Sequence, residues 1–175
     1  VNRPIEDIDS DRLRWLVIGI GNDLAGADAL GRRVVERLTI QVRRDVRILS
    51  VHQLTPELAD QICKCERVIF VDADVSAERV AVRPLCPDSD PQPFSHLWTP
   101  QGLLALTQTT TGSVPPAWLV TLPGHEVQFG QVSDGSEGEL VAEAVRLIES
   151  LIASETAGVL HLEEATRTVG SGRSK

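Results

Sequence analysis

Two carboxylates and an imidazole, Asp28, Asp72 and His96, are the side chains with the most chemistry to offer. Asp28 stands in the glycine-rich stretch GIGNDLAGADALG (19–31), Asp72 closes the apolar run RVIFVDA (67–73), and His96 follows a run of prolines and precedes a leucine-rich stretch. Two oxygen ligands and one nitrogen ligand can together hold a transition-metal ion. Each residue also has a plainer role. Asp before an apolar-periodic stretch is a good helix N-cap, worth about 1 kcal/mol. A carboxylate directly after an apolar strand needs a partner once it is half-buried, and a histidine after a loop can simply be solvated. Pattern alone leaves these readings open.

Several neighbours compete for the same role. Asp74 lies two residues beyond Asp72 and fits a solvated loop. His52 ends another apolar run, and His125 with Glu126 follows a third (LPGHE). The pair HE lacks the second histidine of H-E-x-x-H, so no zincin is indicated. There is no G-x-S-x-G elbow, and Cys63, Cys65 and Cys86 sit in no local catalytic signature. Hydrolysis on this chain would use an activated water. The C-x-C spacing of Cys63 and Cys65 is not that of a zinc ribbon, and three cysteines without an export signal read as reduced structural thiols.

The elements that must position these groups alternate. Residues 15–20 (WLVIGI) read as a buried strand, and an amphipathic helix follows over about 28–44, with Leu30, Val34, Leu38 and Val42 recurring every four residues. Strands are expected at 46–51 and 68–72, with a helix opening at Thr55 or Pro56 between them. RVAVRPL (79–85) alternates and holds a proline, which suits an edge strand. A long loop then ends at His96, a helix covers about 100–110, the last strand is 118–122, and a final helix runs over about 135–154. The expected fold is a three-layer α/β domain: a mostly parallel twisted sheet of about five strands with helices on both faces. Residues 1–155 form that one domain, and 156–175, small and polar, read as a flexible tail. Such sheets bind ligands beyond the carboxyl ends of their strands, where Asp28 and Asp72 fall.

The 175 residues suffice for one sizeable core. A formal charge of −8 and an aromatic content of 3% argue against nucleic-acid binding and base stacking. No apolar run is long enough to cross a bilayer, and the polar, acidic first residues do not form an export signal. A cytoplasmic protein without a membrane partner, and a monomer, is expected. The glycine-rich turn does not make a dinucleotide site. Leu24 stands where G-x-G-x-x-G needs its third glycine, Ser50, Val51 and His52 stand where the acidic partner would be, and there is no Walker lysine.

In order, GIGNDLAGADALGRRVVERL, HQLTPELA, VIFVDA and SHLWTPQGLLAL resemble the nickel–iron hydrogenase maturation endopeptidases, over about 15–152. The resemblance implies an aspartic-type endopeptidase that removes a C-terminal extension from a hydrogenase large-subunit precursor already carrying nickel. It implies that Asp28, Asp72 and His96 complete the coordination of that nickel, so the metal comes with the substrate. Family members often carry two adjacent acidic residues in the first motif; here the first is Ala27, so only Asp28 can serve. The segment HQLTPELA (52–59) resembles the branch that serves soluble bidirectional, NAD(P)-linked hydrogenases. A non-catalytic factor that binds nickel or the precursor, using the same three residues, is the alternative.

Overall fold

A computed structural model describes residues 13–21, 29–39, 45–89, 98–124 and 136–169; for Thr39, Ser136 and 156–169 it describes the backbone only. The elements are β1 (Leu13–Ile20), α1 (Leu30–Thr39), β2 (Val46–Val51), a 3-10 turn (Pro56–Leu58) running into the short α2 (Ala59–Ile62), β3 (Cys65–Asp74), β4 (Ala81–Leu85), α3 (Pro100–Thr111), β5 (Ala117–Pro123) and α4 (Ser136–Val169). The five strands form one sheet in the order β2-β1-β3-β5-β4. Every neighbouring pair is parallel except β4 with β5. The mostly parallel α/β sheet expected from the alternation of apolar runs and amphipathic stretches is therefore present.

Strand composition explains the order. In the central strand β3, Val68, Ile69, Phe70 and Val71 are all fully buried. A strand covered on both faces needs such an unbroken apolar run. β4 carries Pro84, which cannot donate to a ladder, and it lies at the edge.

The two faces hold two separate cores. On one, Val17, Ile69, Val71 and Val120 pack under Leu30, Val34, Val35 and Leu38 of α1 and under Val141, Ala144, Val145, Ile148 and Ile152 of α4. On the other, Leu16, Ile18, Phe70 and Leu119 pack under Leu58, Ala59 and Ile62 and under Leu103 and Leu104 of α3. Burying one Leu or Ile side chain contributes about 1.5–3 kcal/mol, so these stripes hold the helices on.

α3 shows its punctuation clearly. Thr99 is the N-cap, its Oγ1 accepting from the Gly102 N–H at 3.0 Å, and Pro100 opens the first turn. Gly112 closes the helix at φ 80°, a left-handed conformation that glycine takes without strain. The hydroxyls of Thr107, Thr109, Thr110 and Thr111 each donate to the carbonyl four residues back at 2.8–2.9 Å, which accounts for the buried Thr107.

Element boundaries depart from the sequence expectations in three places. The described part of α1 is Leu30–Thr39; 40–44, the rest of the expected helix, lie outside the described residues. The helix expected at Thr55 or Pro56 is a 3-10 turn plus four α-helical residues. β3 is longer than expected at both ends. α4 continues to Val169, through backbone that the polar composition after 155 suggested would be loose.

α4 runs the full height of the sheet. Near its start Glu137 pairs with Arg33 of α1. At Glu155 it meets Arg67 near the start of β3, Oε2 to Nε 3.6 Å. Arg67 also lies over the Trp15 ring, 5.6 Å from its centroid, and Trp15 packs against Trp118 at 5.7 Å.

Candidate functional site at the carboxyl rim of the sheet

The rim is built by a close approach of helix to strand. A Cβ added at Gly31 would overlap the carbonyl oxygens of Ile20 and Val71, and one added at Gly19 would overlap the Gly31 carbonyl and come within 2.5–2.8 Å of the Val35 methyls. The first turn of α1 therefore rests directly on the ends of β1 and β3. Gly21, just past β1, has φ 151°, a value glycine adopts most readily, and donates its N–H to the Val51 carbonyl at 3.0 Å. Gly19 and Gly31 of the glycine-rich stretch are places where two backbones touch.

Asp72 follows Val71 at this contact and is half-buried. Its Oδ1 accepts from the Ala73 N–H at 2.9 Å, which fixes the carboxylate plane. Val71 belongs to the α1 and α4 core and Phe70 to the α2 and α3 core. By strand alternation Asp72 falls on the face covered by α3.

Asp74 plays a different part. Its Oδ1 accepts from the Ser76 N–H at 2.8 Å and the Ser76 hydroxyl at 2.7 Å, and its carbonyl accepts from Ala77 and Gly124. The Ser76 hydroxyl and N–H hold its carboxyl below the usual aspartate range. Asp74 thus shapes the turn after β3, in line with the loop role expected for it.

Asp28, His96 and His125 lie outside the described residues. The described neighbours are Ala29, buried at the start of α1, and Trp98, packed against the α2 and α3 core. Among the described residues no group of three His, Cys, Asp or Glu side chains is placed to hold a metal ion. The three cysteines are free thiols; Cys65 is buried, and its Sγ donates to the Ile62 carbonyl at 3.0 Å.

Sequence reading missed Arg32. From the first turn of α1 its Nε donates to Ser50 Oγ at 2.8 Å, and its Nη1 lies 3.3 and 3.4 Å from the two ring nitrogens of His52. Ser50, the penultimate residue of β2, is in register with Gly19, which is in register with Val71, so this cluster stands on the same rim as Asp72. The only sequence hint is an arginine placed directly after Gly31.

No protein-family profile matches the sequence, and no curated protein does. Solved structures do. HybD, a hydrogenase maturating endopeptidase from E. coli, matches at TM-score 0.59 and 22% identity, over 81% of this chain and 93% of that one. The NiFe hydrogenase maturation protease HycI from Thermococcus kodakarensis KOD1 matches at TM-score 0.56 and 27% identity, over 85% and 95%. A hydrogenase 2 maturation peptidase from Thaumarchaeota archaeon SCGC_AB-539-E09 matches at TM-score 0.52 and 20% identity, over 79% and 97%. All three of these structures are of hydrogenase maturation proteases or peptidases.

Proposed function

We propose that this chain is a hydrogenase maturation endopeptidase, removing the C-terminal extension of a large-subunit precursor that already carries nickel. The observation that carries the reading is the fold shared with three maturation proteases over most of both chains. It is supported by the half-buried carboxylate of Asp72 at the rim where open parallel sheets bind their ligands.

In this reading nickel is part of the substrate. Asp28, Asp72 and His96 complete its coordination, and imidazole with carboxylate suits such a borderline cation. The chain has no nucleophile motif, so a water attacks the scissile carbonyl. A carboxylate, Asp72 or Asp28, takes its proton as general base. Asp72 suits either role, because its Oδ1 is oriented by Ala73 and the strand that carries it is buried on both faces up to Val71.

Incubating the protein with a nickel-loaded precursor and following the precursor's intact mass tests this. Loss of a short C-terminal peptide is expected. A fully loaded precursor that binds and keeps its mass would make the chain a non-catalytic binding factor. HQLTPELA further suggests a soluble bidirectional, NAD(P)-linked hydrogenase as the client; co-expression that matures only a membrane-bound uptake enzyme would overturn that choice.

A further inference from the structure

Beside Asp72, in register on β5, stands Thr121. We propose that the Thr121 hydroxyl and the Asp72 carboxylate together hold the water that attacks the scissile carbonyl; this rests on the endopeptidase reading and gives the base role to Asp72.

Three observations carry it. First, the two side chains share a face. Phe70 and its register partner Leu119 both belong to the α2 and α3 core. Two residues further along each strand, Asp72 and Thr121 fall on that same side of the sheet. Ile18, Phe70 and Leu119 make an apolar floor below them, and Ala81, in register with Thr121 on β4, offers only a methyl group. Second, Thr121 carries the one hydroxyl of β5 and is half-buried, so a water can reach it. Among the described residues that hydroxyl has no hydrogen-bond partner, whereas those of Thr107, Thr109, Thr110 and Thr111 in α3 all have one. A half-buried hydroxyl over an apolar floor gains from a held water. Third, the spacing takes one water. Neighbouring strands lie about 4.8 Å apart, and two oxygens bridged by one water, at about 2.8 Å from each, stand about 4.5 Å apart. The bridging water donates one hydrogen to the Asp72 carboxylate and the other to Thr121 Oγ1, which leaves an oxygen lone pair for the carbonyl carbon. As that C–O bond forms, Asp72 takes the first proton and the carbonyl π electrons move onto the carbonyl oxygen. Collapse of the tetrahedral intermediate breaks the C–N bond, and Asp72 passes its proton to the leaving amine.

The test compares wild type, Thr121→Val and Thr121→Ser on the nickel-loaded precursor over a range of precursor concentrations. Valine keeps the branched shape and the strand preference and removes only the hydroxyl; serine keeps the hydroxyl and removes the methyl. Thr121→Val should lower kcat about tenfold or more, with KM within about twofold, since one hydrogen bond to the attacking water is lost. Thr121→Ser should recover most of that rate, and the melting temperature of Thr121→Val should be no lower than that of wild type. A Thr121→Val protein that turns over at the wild-type rate, a loss confined to KM, or a Thr121→Ser protein as slow as Thr121→Val would overturn the water-holding role. In each of those cases wild type still cleaves and the endopeptidase reading stands. A wild-type protein that leaves the loaded precursor whole overturns both.

Discussion

Gly19 and Gly31 face each other so closely that a side-chain carbon on either would strike main-chain atoms: the Gly31 carbonyl in one case, the Ile20 and Val71 carbonyls in the other. Their contact sets the height of α1 over the strand that carries Asp72. Gly31→Ala should therefore destabilise the protein by about 1–3 kcal/mol through overpacking. Gly138→Ala, where nothing lies within 4 Å, should be neutral or stabilise the helix by up to about 1 kcal/mol. Denaturant midpoints of the two variants check the contrast, and equal midpoints would remove the close approach as a cause.

Asp72→Asn should abolish processing, with at least a hundredfold loss, while the melting temperature stays within a few degrees, because the amide oxygen can still accept from the Ala73 N–H. Asp28→Asn should do the same. Single-turnover mass spectrometry on a loaded precursor measures both, and normal turnover by either variant removes that residue from the site.

Thr99→Ala removes the N-cap of α3, the helix that opens at Pro100, four residues after His96 in the sequence. A loss of about 1 kcal/mol is expected. Thr99→Ser should restore most of it, as read by thermal unfolding of the three proteins in parallel.

The turn after β3 should make stability depend on acid. Ser76 holds the folded Asp74 carboxyl below its ordinary range. A depressed carboxylate contributes stability that is full above the unfolded pKa and is lost as pH falls through the folded one. Ser76→Ala should therefore lower the melting temperature at pH 7 and make less difference once the pH is well below the aspartate range. A difference that grows on acidification would contradict this linkage.

The architecture was legible because its signals are local and repeated. The unbroken apolar run in β3 marked a strand, Pro84 marked an edge, and the four-residue recurrence of Leu30, Val34 and Leu38 marked α1. Helix ends were less legible: Pro56 opened a 3-10 turn, and the composition after 155 gave no sign of backbone that stays helical to Val169. Of the candidate site, Asp72 could be picked out because it closes an apolar run. Arg32 could not, since its meaning depends on β2 and α1 lying side by side, a contact between residues 18 and 20 positions apart. Gly19 and Gly31 were visible as glycines, but their mutual contact was not.

The length of α4 has a practical consequence for handling the protein. The helix starts beside the carboxyl rim at Glu137, reaches the opposite end of the sheet at Glu155, and continues to Val169, about 20 Å more at 1.5 Å per residue. An affinity tag or fluorophore joined at the far end of α4 would be anchored by a helix leading away from Asp72. Such a fusion suits surface-immobilised binding measurements, because a bulky precursor can reach the working end while the tether holds the other.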